Sequence, residues 1–410
     1  MKKRYTTVVQ KYGIMEENRN QGRSKMKILF FQWKSFMNDG IEQALQNMHI
    51  DYDTYFYDIK NWNDDDQFLN QFDEYMAGSD AQMVLSIDFY PLIARVCHGR
   101  DIPYAAWIYD SPINAEGEEE LRYSTSYLYC FDRGQVQGYE KKGIRAYHLP
   151  LAASPKIFLR EKITAEDRKK YRSQVSFVGQ LYKTHYEYYC GPLDQYQRGY
   201  LAGLLNAQSK VYGAYFISDL ISDEFLSDMN VRYYNASAGT ASIDRERLEF
   251  MLACEITSRE RYVAMAVLSR HFQVKHYGAE KDERLDKVEY MGYATYETVM
   301  PKVFQLSDVN LNISLKTIRT GIPLRCLDIM ACGGFLISNY QEELAEYFRL
   351  GEEVVTYGDL EELVYLTDYY LREDIVRKKI AKCGQDRIKA DFTYEKGLKK
   401  IFKETLGVTV

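Results

Sequence analysis

The stretch Asn312-Ile-Ser-Leu-Lys-Thr-Ile-Arg-Thr-Gly-Ile-Pro-Leu-Arg-Cys-Leu-Asp-Ile-Met-Ala-Cys-Gly-Gly-Phe-Leu-Ile337 decides the fold. It reads as strand, loop, helix, tight turn, strand, the repeating unit of an α/β protein. Thr320 or Gly321 is the expected helix cap, and Pro323 suits the first turn. Gly333 is expected as the residue after the helix. The amides of Gly321, Ile322 and Leu324 would then lie at a helix N-terminus, while Pro323 has no N–H to give. Unpaired donors and a partial positive charge at such an end attract phosphate. Arg319 and Arg325 flank that end and offer charge-assisted contacts to a diphosphate. Asp328, further along the helix, is placed to accept bonds from both hydroxyls of a ribose. An ordinary strand-loop-helix unit with a Gly-Gly turn has the same local signature, so the stretch alone leaves both readings open.

Outward from it, the same alternation runs through the chain. Lys27–Gln32, Tyr52–Tyr57, Met83–Ile87, Ile102–Tyr109, Tyr127–Phe131 and Arg145–Leu149 read as strands. Helical spacing separates them at Ile41–Met48, with Asn38 or Asp39 as cap, and at Asp65–Met76, Pro91–His98 and Gln135–Lys142. A second series begins at Gln174–Val178 and crosses a helical region at about 185–270. It resumes at Phe272–Tyr277, Val309–Ile313, Gly334–Ile337 and Glu353–Tyr357. Alternation of this kind implies parallel sheets with right-handed crossovers. The expected fold is therefore α/β, with two Rossmann-like doubly wound domains facing a central cleft. The expected divisions are an N-terminal extension at 1–25, a first domain at 26–155, a linker at 156–172 and a second domain at 173–393. A last helix at 394–410 is expected to pack back on the first domain.

The 410 residues exceed one ordinary core and suit two domains. A formal net charge of −6 with no dominant basic patch argues against nucleic acid as a partner. Seven scattered cysteines without a Cys-x-x-Cys pair point to reduced thiols, not a disulfide scaffold or zinc site. Met1-Lys-Lys-Arg4 has no apolar run behind it, and no segment reaches the length of a membrane span. A soluble, cytoplasmic protein is the expectation. The 37 tyrosines serve either packing or the stacking of sugars and bases.

Other residues are candidates beside the central stretch. Phe177-Val-Gly-Gln-Leu-Tyr-Lys183 ends a strand at Gly179, where backbone can approach a phosphate, and Lys183 can neutralise it. Tyr277-Gly278 and Met291-Gly-Tyr293 suit a nucleobase, with Tyr293 nearest its edge. Asp88 and Asp110 each follow a strand and point toward the cleft. Asp110 is the first choice as general base and Asp88 the second. Each also reads as a helix cap. His98 and His148 are weaker candidates, and Asp64-Asp-Asp66 reads as a solvated loop with no metal.

These motifs, taken in order, resemble a known family. Asn312–Ile337, Asn339–Phe348, Gly351–Tyr357 and Phe392-Thr-Tyr-Glu395 resemble bacterial glycosyltransferases of the spore maturation protein CgeB type. So do Phe131–Tyr139, His148–Ala152 and Phe177–Lys183, so the resemblance covers roughly residues 27–400. It implies the GT-B architecture, a donor domain like those of families 1 and 4, and a nucleotide diphosphate sugar as donor, with UDP expected. It implies no cofactor beyond that substrate and no obligatory metal. Related retaining enzymes bracket the donor with two Glu residues; Asp328 stands at the second place and the uncharged Thr320 at the first. The expected activity is sugar transfer to an unidentified acceptor (a protein, polysaccharide or small molecule). Thr320 keeps two alternatives open: an inactive nucleotide-sugar-binding protein, and a nucleotide-sugar epimerase.

Overall fold

A computed structural model describes residues 26–111, 113, 118–160 and 162–410. The extension expected at 1–25 lies outside the described residues.

Short apolar runs make the strands. In the first half these are β1 (Lys27–Gln32), β2 (Asp51–Phe56), β3 (Met83–Ile87), β4 (Tyr104–Ile108), β5 (Ser126–Cys130) and β6 (Ala146–His148). β3 and β4 are buried at every position, as central parallel strands must be when helices cover both faces. The second half holds β7 (Ser173–Val178), β8 (Val274–Tyr277), β9 (Glu289–Tyr290), β10 (Ser307–Asn312), β11 (Leu336–Asn339) and β12 (Val355–Tyr357). The orders are β2-β1-β3-β4-β5-β6 and β12-β11-β10-β7-β8-β9, with every pairing parallel. Strand order reverses between β1 and β3 in one sheet and between β10 and β7 in the other. Ligands of such sheets bind beyond the carboxyl ends at these reversal points.

Between β7 and β8 the chain inserts helices before the long helix Arg245–Leu268. They bury a small core of their own, including Leu201, Leu205, Met229, Leu248 and Leu252. The segment Gly213–Tyr215 then runs over the ends of β10 and β11, beside Ser314, Lys316 and Asn339.

The last helix, Tyr394–Leu406, returns to the first sheet. Tyr394, Leu398, Ile401 and Phe402 are buried in one cluster with Ile28, Trp107 and Tyr129. The Tyr129 hydroxyl lies 2.7 Å from Thr405 Oγ1. Close approach is made possible by glycine: a Cβ on Gly397 would stand 2.2 Å from Trp107 Cη2. Gly397→Ala is therefore expected to cost about 1–3 kcal/mol through overpacking. An unchanged melting temperature in that variant would mean the helix sits on the sheet without tight packing.

Two expected caps differ. The helix Asn38–Asn47 begins after Met37, with no side-chain cap from Asn38 or Asp39. The Asn38 side chain instead donates to Trp33 O. The helix after β10 starts at Leu324, behind an extended Pro323, so neither Thr320 nor Gly321 caps it. Gly333 does follow that helix, at φ 76°, a conformation that costs glycine nothing.

Candidate functional site

The crevice between β7 and β10 is built around a buried guanidinium. Arg261, on the helix Arg245–Leu268, donates through Nε and Nη2 to Ile313 O at 3.1 and 2.5 Å. Its Nη1 donates to Gln180 O at 2.5 Å. One cation thus ties the ends of both strands together at the reversal point. Burial lowers the guanidinium from its ordinary value, and Arg325 lies near enough to act on it as well. Beside them Lys316 Nζ stands 2.8 Å from Glu260 Oε1, both side chains buried.

Next to this crevice three glycines meet at the ends of β7, β8 and β9. The Gly278 amide donates to Gly292 O at 3.1 Å, and the Gly179 amide to Tyr277 O at 2.9 Å. A Cβ on Gly278 would stand 2.8 Å from Gly179 O. The result is a floor of bare backbone. Tyr293 follows Gly292 and is 64% exposed above it.

Arg325 and Asp328 form the third wall. Asp328 is 1% exposed. Tyr296 donates its hydroxyl to Asp328 Oδ1 at 2.8 Å, and Arg325 Nη1 lies 3.5 Å from Oδ2. Burial raises the Asp328 carboxyl to about 6. Phe36, from the loop after β1, stacks on Tyr296 at 4.6 Å. The expected open carboxylate is thus covered: a tyrosine hydroxyl occupies it where a ribose hydroxyl was foreseen.

The loop before that helix is also occupied, by the other half of the protein. Asp132, at the end of β5, accepts from the Arg319 amide at 2.6 Å and from the Thr320 amide and hydroxyl at 3.2 and 2.9 Å. It also caps its own helix through the Gly134 amide at 2.8 Å. Gly321 is required here, since a Cβ would come within 2.8 Å of Asp132 Cα. Ile322 is buried. Of the amides foreseen as phosphate ligands, those of Gly321 and Ile322 precede the helix, which begins only at Leu324, so the Leu324 amide alone lies in its first turn.

A second acid reaches the same place. Thr320 Oγ1 also lies 2.8 Å from Glu343 Oε1, so its one proton is shared between the two acids, and the Arg133 amide donates to Oε1 at 2.9 Å. His148 Nε2 lies 2.8 Å from Glu343 Oε2. Burial pushes the Glu343 carboxyl up, but His148, Arg133 and Thr320 outweigh it and hold it below its ordinary value. Thr320 carries no charge, yet two carboxylates converge on it. The lips of the cleft also meet at Thr317, whose hydroxyl donates to Ser111 O at 2.7 Å.

Across the cleft stand Asp88 and Asp110. Asp88 is 1% exposed and holds a left-handed backbone at φ 59°. Its Oδ1 accepts from the Tyr109 and Asp110 amides at 3.0 and 3.2 Å. It does not cap the helix Pro91–Gly99, which begins after Tyr90 without a side-chain cap. Burial and the neighbouring Asp110 raise its carboxyl well above the usual range. Asp110 is exposed, next to the Ser111–Thr317 contact, and desolvation raises it too.

The remaining candidates are spread out. Lys183 is exposed and paired with Glu280 at 2.5 Å, on a separate cavity. The Arg319 side chain borders the space between the first half and the inserted helices. His98 stacks on Tyr123, away from the crevice. Arg261, Lys316, Asp132 and Glu343 were not singled out from sequence.

Two parallel six-stranded sheets with a cleft at their carboxyl ends define the GT-B glycosyltransferase fold. Sucrose-phosphate synthase from Thermosynechococcus elongatus superposes with a TM-score of 0.54 at 11% identity, covering 93% of this chain and 99% of that one. A glycosyltransferase from Rickettsia africae gives 0.53 at 12% identity, with 94% and 99% covered. Anabaena HepE in complex with UDP-glucose gives 0.51 at 11% identity, with 93% and 100% covered. Residues 259–403 match the family described as glycosyl transferase-like. No curated protein matches the chain. Among the described residues, no helix is long and apolar enough to cross a membrane.

Proposed function

We propose that this chain is a glycosyltransferase of the CgeB type that transfers a sugar from a UDP-sugar to an acceptor hydroxyl without a metal. The observation carrying this reading is the buried Arg261 guanidinium that ties the ends of β7 and β10 at the reversal-point crevice, beside the bare backbone of Gly179, Gly278 and Gly292. A fixed, desolvated cation, with the partly exposed Arg325 on the helix of Asp328, suits a departing nucleoside diphosphate, which is the main electrostatic demand of the reaction. The uridine assignment is supported by the resemblance of the motifs and by the UDP-glucose held in similar folds.

In the reaction, the acceptor oxygen bonds to the anomeric carbon as the bond from that carbon to the diphosphate oxygen breaks. Asp110 takes the acceptor proton, and the nucleoside diphosphate leaves toward Arg261 and Arg325. Asp88 holds the Tyr109 and Asp110 amides and so fixes the base. Asp328 receives the ribose when the Tyr296 hydroxyl gives way, and the backbone beside Tyr293 meets the base.

A thermal-shift titration tests the reading. UDP-glucose at a hundredfold excess over its dissociation constant should stabilise the protein by ~2.7 kcal/mol. If neither UDP-glucose, UDP-galactose nor UDP-N-acetylglucosamine moves the melting temperature, the reading fails.

Asp328 supplies a sharper expectation. Its carboxyl rises from 3.8 to about 6 on folding. The neutral form is the one folding favours, so its stability is complete below pH ~4 and is lost as pH rises through ~6. A shift of that size corresponds to about 3 kcal/mol. Asp328→Asn should therefore melt higher than the parent at pH 8 but not at pH 4, while binding UDP-glucose about tenfold more weakly. Unchanged affinity would remove Asp328 from the donor site.

A further inference from the structure

A cavity of about 1120 Å³ lies beside the crevice, on the side of the helix Arg245–Leu268. It exceeds the ~300–1,000 Å³ typical of small-ligand sites. Four tyrosines line it: Tyr182, Tyr186, Tyr212 and Tyr262. Each carries a cation over its ring. Arg261 stands 4.9 Å from the centre of Tyr182, and Arg259 5.4 Å from that of Tyr186. Lys316 stands 5.0 Å from Tyr212, and Arg284 4.3 Å from Tyr262. Contacts of this kind fix ring orientation and occupy one face. Tyr186 is buried, while Tyr182, Tyr212 and Tyr262 stay partly exposed on the cavity and are the rings a ligand can meet.

Most of the cations are already paired with carboxylates. Lys183 is paired with Glu280 at 2.5 Å, Arg259 with Glu255 at 2.7 Å, and Arg284 with Asp282 at 2.6 Å. Lys316 faces Glu260 at 2.8 Å. The lining comprises five basic and five acidic side chains, so no net charge favours a diphosphate. Carboxylates in such pairs keep lone pairs for hydroxyl donors. Oriented aromatic rings, surplus acceptors and balanced charge suit a neutral, hydroxyl-rich ligand.

We infer that this cavity binds a neutral oligosaccharide, several rings long, on the acceptor side of the reaction. The acceptor role rests on the proposed transferase reading; the binding itself does not. Nearness along the chain supports the role. Tyr212 directly precedes the segment that crosses the ends of β10 and β11, and Tyr215 on that segment borders a second cavity of about 400 Å³. That second cavity is shared by Gly134, Thr317 and Arg319 at the cleft.

Calorimetric titration of the full chain with maltohexaose, cellohexaose and laminarihexaose tests this. At least one should bind. Tyr212→Ala and Tyr262→Ala should each weaken it about tenfold, with UDP-glucose affinity unchanged. Tyr212→Phe and Tyr262→Phe keep the rings and should keep the affinity, which separates loss of stacking from loss of folding. The inference is overturned if none of the three hexasaccharides binds, if binding survives both alanine variants, or if UDP-glucose displaces the bound hexasaccharide. Hexasaccharide binding without binding of any of the three UDP-sugars would sink the transferase reading and leave the saccharide site standing.

Discussion

Asp110→Asn is expected to lower kcat by ~10²–10⁴-fold while UDP-glucose affinity stays within about twofold, the loss typical of a removed general base. The carboxylate is exposed, with its backbone held by Asp88. Desolvation raises it, so its proton leaves above the ordinary Asp range near ~3.9. Rate depends on the ionised form, so kcat/KM should climb with pH on a limb displaced upward from ~4. That limb should vanish in the Asn variant. Asp88→Asn is a useful contrast: its amide oxygen can still accept from Tyr109 and Asp110, and Asn tolerates the left-handed backbone. Its loss should be smaller than that of Asp110→Asn. A loss below tenfold in Asp110→Asn would dismiss Asp110 as base and favour transfer with retention.

Most of the fold is legible in the sequence because parallel strands announce themselves as short apolar runs. Met83–Ile87 and Tyr104–Ile108 are buried at every position, so no solvent-facing residue blurs the pattern. β9 is only Glu289–Tyr290, half exposed and too short to show. The site was harder, for physical reasons. Arg259-Glu260-Arg261 reads as one charged turn of a long helix, which is usually solvated. Only the crossover to β8 carries Arg261 beneath two strand ends, where carbonyl dipoles replace water. Asp132 and Glu343 lie 188 and 23 residues from Thr320, and no periodicity links them. Thr320 looked like a helix cap because capping residues are judged by local spacing. Its hydroxyl is spent instead on acids brought by folding, and the helix waits until Pro323 has passed.

Asp132→Ala should destabilise the protein by about 3–5 kcal/mol, the range for breaking one side of a buried charged interaction. Asp132 is fully buried and accepts from the amides of Gly134, Arg319 and Thr320 and from the Thr320 hydroxyl. Three of those donors belong to the other half or to the loop it grips, so the variant loses a tie between halves as well as a helix cap. Two N–H groups that no longer meet an acceptor each cost roughly 1–3 kcal/mol if water stays out. Calorimetric unfolding measures the loss directly. The vacated place is lined by amides and shaped for an anion, so inorganic phosphate should recover part of the melting temperature in Asp132→Ala and little in the parent. A loss below about 1 kcal/mol would mean that water enters the loop and that Asp132 is not what closes the halves. Equal phosphate effects on both proteins would mean that the Arg319 and Thr320 amides do not form an anion site once the carboxylate is gone.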